Sequence, residues 1–363
     1  MAIKSRVITA SKGFTYLGIP PVAGYVDGDS VYYQADASGV FVKAMGAWQR
    51  VSGGSGASYG FIGGYNTGGG GASTNSSVDK LMFPFDSGTM SVVGLLSRSL
   101  YGGASVNSSV HGFITTGLNG GGTAQTITDR IAFPFDSGTS TVVENITNSR
   151  YYATGFNNSI YGYIACGSMP SGAPTSTVMR MDFPFNVGSG CTYQTNSMSV
   201  AQCAGFNSST YGFTLGGTDN GGTNVSTIQR FSFPTLGTVI NAGILTTTRR
   251  NIQCSGFNSS LYGFVAGGYD NTDYRSYIDR ITFPFASGTS SAVGKMSTSK
   301  SNTMCFNSTQ HGYMVGSSGL SPTGVDRLTF PFDSGTSSLM GYTSGTRYLG
   351  GATDGTDFVT QFI

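Results

Sequence analysis

One phrase, Asp129–Thr139 (DRIAFPFDSGT), recurs along this chain at a nearly fixed step and constrains its fold more than any other feature. It returns as Asp79–Thr89 (DKLMFPFDSGT), Asp279–Thr289 (DRITFPFASGT) and Asp326–Thr336 (DRLTFPFDSGT). Looser copies stand at Met179–Ser189 and Gln229–Thr238. The Phe-Pro cores begin at Phe83, Phe133, Phe183, Phe233, Phe283 and Phe330, a step of 50 residues that shortens to 47 at the last. A period of this size marks stacked supersecondary units that bury their apolar faces on one another.

A second marker runs in phase with the first: Tyr59-Gly60-Phe61, His111-Gly112-Phe113, Tyr161-Gly162-Tyr163, Tyr211-Gly212-Phe213, Tyr262-Gly263-Phe264 and His311-Gly312-Tyr313. Five copies follow an Asn-rich turn that begins at Asn107, Asn157, Asn207, Asn258 or Asn307. Three are followed by a glycine pair, Gly63-Gly64, Gly216-Gly217 and Gly267-Gly268. Each unit therefore reads as four strands: A before the Asn turn, B at the YGF segment, C at the DRIxFPF segment and D after the DSGT turn. In strand C, Ile131, Phe133 and Phe135 share one face, and burying each Phe stabilises by about 1.5–3 kcal/mol. Asp and Gly in DSGT suit a type I hairpin turn with a left-handed glycine. Glycine is 56 of 363 residues, an excess that normally signals low complexity. Aromatics at 12% in fixed register supply a core, and no window has helical amphipathicity, so the chain reads as all-β.

Four-stranded units of this length with a di-glycine after strand B resemble kelch repeats of β-propellers, over about residues 50–363. The resemblance implies an Arg at the start of strand A, matched by Arg150, Arg249 or Arg250, and Arg347. The kelch Trp after strand C is missing, since Trp48 is the only Trp, so kelch partner-binding residues do not transfer. Blade number has two solutions. Arg347–Phe362 resembles a further A–B pair, which Ser30–Val51 would complete as a composite closing blade, giving seven. Six blades, with both chain ends outside the ring, is the alternative. Seven is favoured because an open blade leaves unpaired edges.

Residues 1–29 read as irregular, with Pro20-Pro21 as breakers. Three short strands follow, VYYQA, VFVKA and AWQRV, and Gly53–Ser58 forms a joint to the six repeats of 59–342 and the partial repeat 343–363. The Pro- and Gly-rich start and the hairpin after it resemble N-terminal portions of phage tail-fibre and other virion proteins. That resemblance implies a virion structural protein attached to its neighbours through residues 1–29. The first residues lack the apolar run of a signal peptide, so the expected location is the virion, reaching the outside on host lysis.

Chemistry-bearing motifs are few. The five cysteines (Cys166, Cys191, Cys203, Cys254, Cys305) have no metal spacing and read as buried thiols. His111 and His311 are the only histidines and replace the Tyr of the YGF marker, an aromatic packing position rather than an acid–base pair. Galactose-oxidase-type kelch proteins carry a copper site, and no matching histidine set exists here. The expectation is a non-enzyme without cofactor or metal. Lys80, Arg130, Arg180, Arg230, Arg280 and Arg327 hold one strand-C position and read as inter-blade ties, with Asp79, Asp129, Asp279 and Asp326 as partners. A net charge of +2 without basic runs excludes nucleic acid, and no apolar run has membrane-spanning length.

The functional argument rests on an asymmetry. A–B and C–D turns lie on one face of such a disc and are nearly constant here. B–C loops and D–A links lie on the other and vary. Recognition usually resides in variable loops on a rigid scaffold. The candidate ligand-binding residues are therefore Tyr65, Asn66, Asn119, Asp219, Asn220, Tyr269, Asp270, Asp273, Tyr274 and Arg275 in the loops. Arg98, Arg150, Arg249, Arg250 and Arg347 in the links favour an anionic ligand. The leading expectation is attachment to a host-surface glycan. The alternatives are a capsid decoration or head-fibre protein, possible as a homo-oligomer, and a bacterial extracellular kelch-type lectin or enzyme.

Overall fold

The computed structural model describes residues 32–36, 39–44, 47–51, 59–66, 74–185, 192–233, 239–250, 252, 256–316, 318–319, 322–346 and 351–353. Among them every regular element is a β-strand. The chain divides into two compact units, Met1–Ala57 and Ser58–Ile363. In the first, Tyr32–Asp36, Gly39–Ala44 and Ala47–Val51 form a three-stranded antiparallel meander. Tyr32 lies opposite Lys43, and Lys43 opposite Trp48.

The second unit is a six-bladed β-propeller. Blade 2 shows the plan: strand A is Ala104–Asn107, B His111–Thr115, C Ile127–Ala132 and D Thr141–Asn145, paired antiparallel in that order. Blades 3 to 6 repeat it from Thr154, Ala204, Gly256 and Met304. Blade 1 takes B, C and D from Tyr59–Asn66, Thr74–Met82 and Ser91–Leu95. Its innermost strand is Gly351–Thr353, from the other end of the chain, with Ala352 opposite Phe61. The innermost strands neighbour one another in a closed cycle from blade 2 through blade 6 to Gly351–Thr353 and back to blade 2.

The favoured seven-blade arrangement is therefore not formed. The strand 351–353 covers the inner edge of Tyr59–Asn66, which would otherwise stay unpaired. Among the described residues, the strands of 32–51 form a three-stranded sheet of their own.

Blade contacts follow from the repeat phrase. The Phe that precedes each repeat proline stacks on the strand-B aromatic of the preceding blade. Phe133 meets Phe61 at 5.4 Å, Phe183 meets Phe113 at 5.4 Å and Phe233 meets Tyr163 at 5.1 Å. Phe283 meets Phe213 at 5.7 Å, Phe330 meets Phe264 at 5.5 Å and Phe83 meets Tyr313 at 4.9 Å. Each of the six interfaces thus carries one stack, the last joining blade 6 to blade 1. The second Phe is buried beside strand C, as Phe85, Phe135, Phe185, Phe285 and Phe332 are.

The strand-C cation does tie blades, but through a different carboxylate from the one expected. Lys80 pairs with Asp136, Arg280 with Asp333 and Arg327 with Asp86, each the turn Asp of the next blade. Where that blade has Ala286, Arg230 bonds the Phe285 carbonyl at 2.8 Å. Arg180 departs from the pattern and pairs with Asp182 of its own strand at 3.0 Å. Under these cations lie the first aromatics of the YGF marker: Lys80 is 3.5 Å from the Tyr59 centroid, and Arg180, Arg230 and Arg280 are each 4.3 Å from Tyr161, Tyr211 and Tyr262.

The C–D connection is also more than the tight hairpin turn expected. Its Gly-Thr pair runs parallel to strand D of the preceding blade, Gly288 beside Gly243 and Gly88 beside Gly341. Cys166, Cys203 and Cys305 are buried, whereas Cys191 and Cys254 lie outside the described residues.

Candidate recognition face

Four of the B–C loops share one frame despite their different sequences. Each is a hairpin closed by a bridge: Leu118 to Ala124, Ser168 to Pro174, Thr218 to Asn224 and Tyr269 to Tyr274. The frame begins where strand B ends, at two residues of positive φ: Thr116-Gly117, Cys166-Gly167, Gly216-Gly217 and Gly267-Gly268. The second of these, at +90° to +110°, is the conformation only glycine adopts without strain. Its carbonyl accepts from the returning strand, as in Gln125 to Gly117 and Arg275 to Gly268, both at 2.8 Å. The first residue sits near +63° even where it is Thr116 or Cys166. This explains why the glycine pair need not be complete in the sequence.

The Asx residues of these loops are committed to the turn. Asn119 Oδ1 accepts from the amides of Gly121 (3.0 Å) and Thr123 (2.9 Å). Asp219 Oδ1 accepts from Gly221 and Thr223, both at 2.9 Å. Asp270 Oδ1 takes Thr272 and Asp273 amides, while its Oδ2 pairs with Arg275. Burial pushes the Asp270 carboxyl up, but the bonds from Thr272 and Arg275 outweigh it and hold the group well below the usual carboxylate range. Asn119, Asp219 and Asp270 thus shape the loops as Asx turns. Asn220, Asn271, Asp273 and Tyr274 are exposed at the tips.

The link arginines divide in two. Arg150 and Arg249 are 0% exposed. Arg150 donates to the Cys166 carbonyl at 3.0 Å and the Thr177 carbonyl at 2.9 Å, and Arg249 donates to the Gly267 carbonyl and pairs with buried Asp279. Arg98 pairs with Asp129, and Lys300 with Asp326, in the same way. Arg98, Arg150 and Arg249, read from sequence as ligand-facing, and Lys300 thus pin four of the D–A links to strand C of the next blade. This is where the strand-C aspartates find their partners. In blade 1, Asp79 accepts from the Ser344 amide at 3.0 Å and hydroxyl at 2.7 Å. Arg250 differs: its guanidinium lies 5.5 Å over the Tyr269 ring.

Tyr65 and Asn66 end strand B of blade 1, opposite Asn75 and Thr74, and Arg347 lies outside the described residues. The structure brings Arg250, Tyr269, Asp270, Asp273, Tyr274 and Arg275 together at blade 5. Asn119 and Asp219 head their own hairpins on blades 2 and 4. Two contributors escaped the sequence reading of single sites. Tyr277 is 36% exposed beside Tyr274 at 40%. Asn224 closes the blade 4 hairpin and reaches the Tyr269 carbonyl with Nδ2 at 3.2 Å. Its place at the end of a variable loop was the only signal. Among the described residues no group of three or more His, Cys, Asp or Glu side chains is placed to hold a metal ion.

No protein-family model matches the sequence, and no curated protein matches it. Among solved structures the chain is similar to one titled "Structure of YjhT", with a TM-score of 0.55 at 10% identity, over 83% of this chain and 90% of that chain. At that identity the likeness is one of fold alone.

Proposed function

We propose that this protein is a non-catalytic, divergent kelch-like binding propeller that attaches to a saccharide through the face carrying the B–C hairpins. The observation that carries the reading is the blade 5 hairpin. It places exposed Tyr274 5.8 Å from the Tyr269 ring, which Arg250 faces, with exposed Tyr277 at the start of the next strand, on a frame that the other hairpins share without those aromatics. Exposed tyrosines give sugar rings a stacking surface, and adjacent polar groups fix orientation. The opposite face uses its charged side chains to hold blades together. The display setting we propose is a phage particle, with residues 1–29 as the attachment segment, on the strength of the N-terminal sequence pattern.

The test is binding of the full chain to host cells and to an oligosaccharide panel. Tyr274→Ala with Tyr277→Ala should weaken binding by at least about tenfold. Leu261→Ala, at an exposed residue of the constant face, should leave it unchanged. Loss on Leu261→Ala with none on the tyrosine pair would place recognition on the other face.

A second reading, a decoration protein that packs on neighbouring subunits, is favoured by exposed apolar side chains on the outermost strands, among them Val92, Val142, Ile244, Leu339 and Tyr342. It predicts self-association or capsid binding that survives the tyrosine substitutions.

A further inference from the structure

Hairpins 4 and 5 meet through one side chain whose hydrogen bonding is half complete. Asn224 is 6% exposed and donates from Nδ2 to the Tyr269 carbonyl, but its buried Oδ1 has no donor. A buried amide oxygen without a donor costs about 1–3 kcal/mol, so such acceptors are normally filled by protein, water or ligand.

Beside it stands a cation in a similar condition. Arg250 exchanges backbone hydrogen bonds with Tyr269 at 3.0 and 2.9 Å, which fixes its position against that ring. Its guanidinium stands 5.5 Å from the ring centroid, and among the described residues it has no carboxylate or carbonyl partner. The other described arginines of this face are engaged: Arg98 by Asp129, Arg249 by Asp279, Arg275 by Asp270, and Arg150 by carbonyls. Asp273, the nearest carboxylate in sequence not held by a cation, turns back to accept the Tyr274 amide at 2.7 Å.

We propose that Arg250, Asn224 and Tyr269 form a subsite for an acidic saccharide, a sugar that carries a carboxylate near a free hydroxyl. The inference rests on the carbohydrate reading above and names its ligand class. A neutral sugar would leave Arg250 without a counter-charge, and a simple inorganic anion would leave the Asn224 oxygen without a donor. A uronate meets both needs. Its carboxylate fits the planar fork of Arg250, its hydroxyl donates to Asn224 Oδ1, and its ring lies near an aromatic surface.

The experiment is calorimetric titration of the full chain with a uronate-containing oligosaccharide and with its carboxyl-reduced counterpart of equal length. The acidic form should bind at least about tenfold more tightly. Arg250→Gln should bring the two within about twofold of each other. In the unmodified chain the preference should shrink as sodium chloride rises from about 0.05 to 0.5 M, a measurement that does not depend on the variant folding. Equal affinities, or a preference that survives both Arg250→Gln and high salt, would overturn the subsite and leave the carbohydrate reading standing. Binding of neither oligosaccharide, or of any other in the panel, would contradict both.

Discussion

Arg249 and Asp279 face each other beneath the link between blades 4 and 5, both out of reach of water. Asp279 also accepts from the Thr246 hydroxyl at 2.6 Å. Removing one partner strands a buried charge, so Asp279→Ala should cost about 3–5 kcal/mol in urea unfolding. Asp273→Ala, at an exposed tip, should cost less than about 0.5 kcal/mol. The two histidines make a second residue-scale prediction. Burial and the charge of Arg130 hold His111 below its ordinary pKa, and burial and Arg327 do the same for His311 against the opposing pull of Asp86. A histidine whose folded pKa is depressed favours the neutral form in the native state. Its contribution is intact above the unfolded value of about 6.5 and is lost progressively as pH falls from there through the lowered folded value. Thermal melts should therefore show the midpoint falling from pH 7.5 to pH 5, and His111→Phe with His311→Phe should flatten that slope. The aromatic role of these histidines was legible because they replace Tyr in a repeat. The fate of Arg150 and Arg249 was not, since nothing local separates a link arginine aimed into the interface from its neighbour Arg250, which sits over Tyr269.

At the scale of the element, strand D and the DSGT turn act as one device. Strand D of a blade is flanked by the turn of the next, and the approach is so close that a Cβ on Gly341 would lie 2.0 Å from the Gly88 carbonyl oxygen, and one on Gly243 1.8 Å from that of Gly288. Gly341→Ala forces two backbones apart and should cost about 1–3 kcal/mol, the range of overpacking, measured as a lowered Tm. Ser338→Ala, at an exposed position of the same strand, should be near neutral. The repeat phrase made strands B, C and D legible, along with the Phe contacts, because their spacing recurs without insertion. It did not show that Asp136, Asp333 and Asp86 reach back to the previous blade, because a short Asp-Gly segment satisfies hairpin-turn chemistry equally well. Nor did it show that Asn119, Asp219 and Asp270 serve their own loops, since an Asx side chain at a loop start looks the same whether it caps a turn or meets a ligand.

For the whole molecule, six blades close because the strand 351–353 joins the sheet begun by Tyr59–Asn66. Sequence alone left the count open: the C-terminal pair looked orphaned, and the N-terminal strands were available as partners. The choice depends on which distant edge the last strand covers, and no local pattern encodes that. A chain starting at Ser58 should fold with an unchanged Tm, whereas removal of residues 347–363 should lower it and broaden the transition. Unfolding on loss of residues 1–57 would instead mean that the N-terminal strands belong to the ring. The central claim remains that saccharide binds on the face of the B–C hairpins and not on the face of the A–B and C–D turns. Hydrogen–deuterium exchange with and without a bound oligosaccharide tests it most directly. The account predicts slowed exchange at residues 219–224 and 269–277 with no change at 133–139 and 283–289. Protection confined to those constant-face turns would contradict it.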